Sequence, residues 1–162
     1  MIKKNNFYLF LLILFCFSCD SQAVFDEYKS FSNAWNKDEI VSFNVNPNDS
    51  INPYNLFVNV RNTNAYKYKN LFLIVEMDFP NGKVVTDTLE YNMADKTGAL
   101  LGEGISTTKT SKLWYKEAVK FLEHGDYKVK IQHAMRKNGE VNGVVNLEGI
   151  TDIGFRIEKI IK

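Results

Sequence analysis

The chain has 162 residues, with 20 lysines and arginines against 19 aspartates and glutamates, and aromatic residues make up 14% of it. This near-neutral balance argues against a nucleic-acid-binding protein and against electrostatic adhesion to anionic lipid, since both need clustered positive charge. Both cysteines, Cys16 and Cys19, lie close to the N-terminus, so the rest of the chain has no thiol for a disulfide or a zinc site.

The first 19 residues have the layout of a secretory signal. Lys3 and Lys4 precede an apolar run over residues 7–17, and Ser18 stands directly before Cys19. The run of about 11 residues is too short to cross a membrane, which takes roughly 20. A small residue before a cysteine is typical of bacterial lipoproteins, so we predict a signal peptide over residues 1–18 and lipid on Cys19. An uncleaved anchor, or an ordinary signal with an incidental cysteine, is the alternative.

Cleavage before Cys19 leaves a length that suits one domain. Residues 19–35 are mixed polar and aromatic, and we predict that they form the lipidated N-terminus and a tether, followed by a single domain over residues 36–162. Loss of Lys3 and Lys4 reduces the basic residues from 20 to 18 against 19 acids, a net charge of about −1. Membrane attachment would then come from two or three acyl chains rather than from charge.

Alternation of apolar and polar residues dominates the first half of this domain. It predicts strands over residues 41–45 and 56–60, separated by the turn residues of 46–53. The clearest strand covers 71–79, and Pro80-Asn81-Gly82 follows it. Because Asn-Gly favours a tight hairpin turn, residues 83–91 should pair back as an antiparallel strand.

The second half begins with a long connection over Asn92–Thr110 that contains three glycines. Ser111 then resembles a helix N-cap, and the apolar spacing that follows predicts a short helix near residues 111–124. Alternation over 127–135, an Asn-Gly pair at 138–139, and apolar residues at 153, 155 and 157 predict the final strands. Seven or eight strands at regular spacing indicate an antiparallel β-sandwich, immunoglobulin-like or jelly-roll-like, with a half-open barrel as the alternative.

Catalytic and metal-binding patterns are not found in the sequence. His124 and His133 are the only histidines, and His133 falls on the apolar side of its strand, which favours a packed role. Glu76, Asp78, Asp87 and Glu90 lie on strand positions typical of solvated charge, although weak calcium binding is an alternative for them. We therefore predict no catalytic residue, no metal site and no cofactor.

Several segments together resemble the GldH gliding motility lipoproteins of the Bacteroidetes, in the order in which that family has them. The segments are 54–62, 70–75, 87–91, 111–117, 133–136 and 149–157. The resemblance implies a cell-envelope lipoprotein needed for gliding, with Cys19 as the lipid-bearing residue and no catalytic residue. It also implies partners among other gliding lipoproteins and the associated secretion machinery, and anchorage at the outer membrane with the face left open.

Two hypotheses of different classes follow. The first is a non-enzymatic structural or assembly factor, whose partner interface would include Trp114, Tyr115 and the connection over Asn92–Thr110. The second is a carbohydrate-binding surface lipoprotein, in which the numerous aromatic rings of a β-sandwich stack on sugars. Neither hypothesis involves nucleic acid, and the sequence identifies no small-molecule ligand.

Overall fold

The computed structural model describes residues 22–104 and 107–160. This part of the chain contains ten β-strands and no α-helix, so it offers no helix long and apolar enough to cross a membrane. Cys19 and the signal peptide predicted over residues 1–18 lie outside the described residues. In chain order the strands are β1 (Ala23–Ser30), β2 (Ala34–Asn36), β3 (Val41–Val45), β4 (Tyr54–Thr63), β5 (Asn70–Asp78), β6 (Val84–Asn92), β7 (Thr108–Val119), β8 (Tyr127–His133), β9 (Asn146–Glu148) and β10 (Ile150–Lys159).

Eight of these strands form two four-stranded antiparallel sheets. The first sheet has the order β1-β10-β4-β7, the second has the order β3-β8-β5-β6, and β2 pairs with β9 in a small third sheet. Between the eight strands, every connection except the β5–β6 hairpin passes from one sheet to the other. This is the arrangement of a jelly roll. The predicted antiparallel β-sandwich is therefore confirmed in its jelly-roll-like form.

The hairpin predicted around Asn81-Gly82 is also confirmed. β5 and β6 pair without a register shift from Asn70↔Asn92 to Asp78↔Val84. Gly82 has a φ of 85°, a backbone conformation that glycine adopts without steric cost. The turn residues and the alternation on both sides therefore favour one register.

The core lies between the two sheets. Alternate residues of β4 and β5 point into it and are fully buried: Leu56, Val58, Val60, Leu71, Leu73 and Val75. Trp35 of β2 is also fully buried, and its indole nitrogen donates to the carbonyl oxygen of Glu39 at 2.8 Å. Each such large apolar side chain contributes about 1.5–3 kcal/mol on burial. The domain can therefore be stable without a disulfide.

The N-terminal segment differs from the tether predicted over residues 19–35. β1 pairs with β10 along its length, and Phe25 packs edge-on against Phe43 with ring centroids 6.4 Å apart. The carbonyl oxygen of Gln22 accepts a hydrogen bond from the backbone N–H of Lys159 at 3.0 Å. The packed fold therefore extends back to Gln22, because β1 supplies hydrogen bonds that the edge of β10 would otherwise lack.

The helix predicted near residues 111–124 is wrong, because β7 occupies Thr108–Val119 and pairs with β4. Alternate side chains of β7 face the core, namely Ser111, Leu113 and Tyr115. The side chains between them face outward, namely Lys112, Trp114 and Lys116. The strand ends near Ala118, whose φ of 53° breaks the extended conformation. Pairing with β4 and burial of alternate residues override the helical spacing of the sequence.

Candidate partner-binding surface

One face of the first sheet points away from the core and carries charged and aromatic side chains. We call it the outer surface and define it by six residues: Asp26, Phe57, Lys112, Trp114, Arg156 and Glu158. The strand register places four of them in one row across the sheet, as the pairs Asp26↔Arg156, Arg156↔Phe57 and Phe57↔Trp114 show. Because directly opposed residues lie about 4.5–5.5 Å apart, this row forms a continuous patch.

Trp114 is the exposed end of that row. Its ring lies against the ring of Phe57 with centroids 4.5 Å apart, and 55% of the Trp114 surface remains accessible to solvent. Phe57 is only 2% exposed although it is not part of the central core. The ammonium group of Lys112 lies 4.6 Å from the centroid of the Phe57 ring. Trp114 and Lys112 therefore cover Phe57. The exposed ring of Trp114 packs with one side against the buried Phe57 ring.

Ion pairs hold the charged part of the outer surface. Arg156 donates from Nη1 to Oδ2 of Asp26 and from Nε to Oε1 of Glu158, both at 2.6 Å. Lys112 Nζ lies 3.0 Å from the same Glu158 oxygen. Burial raises the pKa of Glu158, but hydrogen bonds from Arg156 and Lys112 outweigh this effect and hold its pKa below the ordinary value. Glu158 is therefore ionised at neutral pH, and the ion pairs restrain the side chains of this part of the surface.

Tyr115 belongs to the core side of β7. It is 9% exposed, and its ring packs edge-on against Phe155 with centroids 6.4 Å apart. Its hydroxyl donates to Oδ2 of Asp87 at 2.8 Å, and Lys116 Nζ lies 2.8 Å from the same oxygen. Partial burial raises the pKa of Asp87, but these two partners lower it further than burial raises it. Tyr115 thus joins the two sheets and offers little surface to a partner, in contrast to the sequence prediction.

The connection between β6 and β7 folds back onto the sheet instead of extending into solvent. Leu101 donates its backbone N–H to the carbonyl oxygen of Met93, and Glu103 exchanges two backbone hydrogen bonds with Thr110. Gly102 approaches β7 so closely that a Cβ would lie 2.6 Å from the hydroxyl oxygen of Ser111. Residues 105 and 106 are not described. This connection forms one wall of a cleft beside the outer surface, also lined by Asp26, Lys112 and Arg156.

Within residues 22–104 and 107–160, Trp114 is the one aromatic residue with a largely exposed side chain; the others are buried or half-buried. Of the two interface residues predicted from sequence, the structure therefore leaves Trp114 at the surface and not Tyr115. Sequence reasoning missed Asp26, Phe57, Arg156 and Glu158. Alternation along the chain was a visible signal for Phe57, Arg156 and Glu158, but there was none for Asp26, whose strand was not predicted, and none for the strand order that joins four of these residues into a row.

The carboxylates considered as candidate catalytic or calcium ligands are engaged in ion pairs or hydrogen bonds. Lys130 Nζ lies 2.8 Å from Glu76 and 2.7 Å from Asp78. Glu90 accepts a hydrogen bond from the side chain of Asn70 at 2.8 Å. In the described part of the chain, no three histidine, cysteine or acidic side chains are grouped as metal ligands would be. These carboxylates therefore have hydrogen-bond or ion-pair partners within the domain.

His133 has a structural environment. It is 5% exposed, its Nε2 lies 3.1 Å from the carbonyl oxygen of Trp35, and its ring packs edge-on against the indole. Its Nδ1 is buried without a hydrogen-bond partner. Burial lowers the pKa of His133, and the hydrogen bond to Trp35 raises it by less. The neutral imidazole is therefore the form that the fold accommodates.

We expect this environment to make the stability of the domain depend on pH. The folded pKa of His133 lies below the unfolded value of about 6.5, so the unfolded chain takes up the proton first as the pH falls. The contribution of neutral His133 to the stability of the fold is thus complete well above pH 6.5, and it declines progressively below that pH. Urea unfolding at pH 7.5 and 5.5 should show a lower free energy of unfolding at pH 5.5, and a smaller difference for His133→Gln. An equal pH dependence in both proteins would contradict this assignment.

Comparison with known proteins gives matches over nearly the whole chain. Residues 23–157 match the family model described as GldH lipoprotein. A "Gliding motility lipoprotein GldH homolog" of Christiangramia forsetii is 57% identical over 152 residues, which cover 94% of this chain and 93% of that protein. The "Gliding motility lipoprotein GldH" of Flavobacterium johnsoniae is 53% identical over 156 residues, which cover 96% and 97%. The resemblance indicated by the sequence is confirmed.

Among solved structures, a chain of the T13 IBDV viral particle matches 87% of this chain and 32% of its own length, with 13% identity and a TM-score of 0.37. A chain of the VP2 subviral particle of infectious bursal disease virus matches 83% of this chain and 30% of its own, with 15% identity and a TM-score of 0.35. Likenesses this weak carry no inference about this chain.

Proposed function

Because this chain belongs to the GldH lipoprotein family, we propose that it is a non-enzymatic, lipid-anchored component of the cell envelope that bacterial gliding requires. In this proposal it acts as a structural or assembly factor together with other gliding lipoproteins and the associated protein secretion machinery. The similarity of the whole folded domain to gliding motility lipoproteins is the observation that carries the proposal.

The proposed anchor is lipid on Cys19, after removal of residues 1–18. Two or three acyl chains at one residue give firm attachment, whereas a single chain gives marginal binding. We propose the outer membrane as the site of anchorage. The domain would then need no apolar segment of its own to stay at the membrane.

The proposed partner interface is the outer surface around Trp114. Exposed tryptophan supported by buried neighbours is typical of residues that dominate binding energy at protein interfaces. Here the neighbours are Phe57, which is 2% exposed, and Glu158, which is 7% exposed and held by Arg156. A rigid ring beside fixed charges costs little conformational entropy when a partner binds.

The carbohydrate-binding alternative has less support. A sugar platform needs several accessible rings, and among the described residues Trp114 stands as a single largely exposed one. The other rings that suggested a platform are packed, such as Trp35 against Phe31 and Tyr54 against Phe121. The large number of aromatic residues is explained by rings that pack in the core and at the two ends of the sandwich.

Deletion of the gene in frame tests the proposal, with colony spreading and exported proteins as the two readouts. Loss of both, restored by the wild-type gene, is the expected result. Loss of spreading with intact export would limit the role to motility itself. Normal spreading and normal export would contradict the proposal and favour glycan binding, which retardation of the protein in polysaccharide gels would then measure.

We expect Trp114→Ala to weaken partner binding without unfolding the domain. The change removes the exposed ring and its contact with Phe57, a contact worth about 0.5–1.5 kcal/mol to stability. A hot-spot tryptophan contributes at least about 2 kcal/mol to binding, a loss of affinity of roughly 30-fold. Affinity purification of the tagged protein should therefore recover much less of its envelope partners.

Val84→Ala is the matched control for this variant. Val84 is 53% exposed, close to the 55% of Trp114, but it lies on the second sheet. This control should recover partners as the wild type does. Equal recovery by Trp114→Ala and the wild type would exclude Trp114 from the interface.

A further inference from the structure

Both ends of the described chain lie at the same end of the sandwich, which we call the terminal end. Gln22 is held there by its hydrogen bond to Lys159. Three connections meet at this end: residues 46–53 between β3 and β4, 79–83 between β5 and β6, and 120–126 between β7 and β8. They are joined to one another, since Asn46 donates to Asp126 at 2.8 Å and Asn81 donates to Glu123 at 2.9 Å. The terminal end is therefore one connected surface.

Apolar side chains project from this surface. Ile51 is 78% exposed, Leu122 is 67% exposed and Ile160 is 37% exposed. Ile160 shares a cleft with Asp49 of the first connection and with Tyr54, the first residue of β4. Lys120 and Lys159 are exposed in the neighbouring chain segments. Apolar tips accompanied by lysines are typical of surfaces that meet a lipid interface, where the lysine stem stays with the apolar side chains and its charge reaches water.

The position of the proposed anchor connects this surface with the membrane. Cys19 precedes Gln22 by three residues, so their Cα atoms are at most about 11 Å apart. A strand of ten residues such as β10 extends roughly 33 Å. The opposite end of the sandwich, which carries the connections next to β2 and β9, is therefore too far from the anchor to rest on the same bilayer.

We infer that the terminal end rests on the bilayer that holds the acyl chains of Cys19, with Ile51 and Leu122 in contact with lipid. This inference depends on the proposed lipidation of Cys19. With the terminal end on the membrane, the outer surface faces sideways and stays open to proteins.

Site-specific labelling of the acylated full-length protein tests this orientation. The chain has two cysteines, Cys16 in the leader and Cys19 at the proposed anchor, so an added cysteine is the one free thiol of the mature protein. We would introduce Ile51→Cys or Leu122→Cys, attach a fluorophore, and insert the protein into phosphatidylcholine vesicles that contain a lipid-bound quencher. Val141→Cys is the control, because Val141 is 87% exposed and lies in the connection between β8 and β9.

The expected result is several-fold stronger quenching at positions 51 and 122 than at position 141. Equal quenching at all three, or the strongest quenching at position 141, would overturn the proposed orientation while leaving the anchor intact. Failure of the protein to float with the vesicles would overturn the lipidation of Cys19 and this inference with it. Flotation and quenching thus separate the two proposals.

Discussion

Cys19→Ser is expected to release the protein from the membrane and to abolish colony spreading. In the proposed function, the acyl chains on Cys19 are what attach the protein to the membrane. Loss of two or three chains, at about 0.8 kcal/mol for each buried CH₂ group, removes essentially all membrane affinity. Fractionation into membrane and soluble pools, together with a spreading assay, measures both effects.

Cys16→Ser provides the matched control, since it removes the other cysteine of the leader. This variant should be processed, anchored and active as the wild type is. If Cys19→Ser remained in the membrane pool, an uncleaved N-terminal anchor would explain the localisation better. If Cys19→Ser were soluble but fully active, the proposed function would not depend on anchorage.

Gly149→Ala is expected to destabilise the domain by about 4 kcal/mol, a large part of the roughly 5–15 kcal/mol that holds a domain folded. Gly149 lies between β9 and β10 with a φ of 85°. An added Cβ would lie 2.6 Å from the carbonyl carbon of Ala65 and even closer to backbone atoms of Tyr66. Backbone atoms cannot rotate away, so the neighbouring segment must move as a whole. Thermal unfolding followed by circular dichroism measures the loss.

Gly82→Ala separates this close approach from the cost of the backbone conformation. Gly82 has the same φ of 85°, but no heavy atom lies within 4 Å of an added Cβ. It should therefore cost only about 1–2 kcal/mol, the penalty of a left-handed residue. Equal losses of unfolding free energy in the two variants would show that the close approach of Gly149 to Tyr66 does not contribute to the cost of the substitution.

The orientation inferred for the anchored domain gives the two surfaces different tasks. The terminal end, with Ile51 and Leu122, would meet lipid, whereas the outer surface around Trp114 would meet protein. Substitutions at these two places should therefore affect different measurements: lipid quenching for the first and partner recovery for the second. Such a division is consistent with a small lipoprotein that holds partners at a fixed height above the bilayer.

The strands were predictable wherever one face is buried and the other is solvated. β5 and β6 alternate cleanly on both sides of an Asn-Gly turn, and their pairing agrees with the sequence. β7 was not predictable in this way, because Leu113, Trp114 and Phe121 also fit a helical spacing. Its identity as a strand depends on β4, which lies about 50 residues earlier in the chain and supplies its hydrogen bonds. The first strand was missed for the same reason, since β1 needs β10 as a partner.

Within the candidate site, Trp114 could be predicted but its neighbours could not. The row that joins Asp26, Arg156, Phe57 and Trp114 exists because β1, β10, β4 and β7 are adjacent in the sheet although they are far apart in sequence. The burial of Tyr115 likewise depends on Asp87 of the second sheet, which accepts a hydrogen bond from the Tyr115 hydroxyl group. Single-sequence patterns report local periodicity and tight turns, and they contain no information about which strands far apart in the sequence become neighbours.

Four features follow from the amino-acid sequence: the leader prediction at Cys19, the β-rich class, the β5–β6 hairpin and the family. Each depends on residue types or on periodicity within a short segment. The tertiary structure alone decided that residues 111–119 form a strand, that β1 joins the first sheet and that four distant residues make one surface. These features arise from hydrogen bonds and burial between segments that the jelly-roll topology brings together. Their free energy comes from the partner strand, so it is not encoded in the local sequence of either strand.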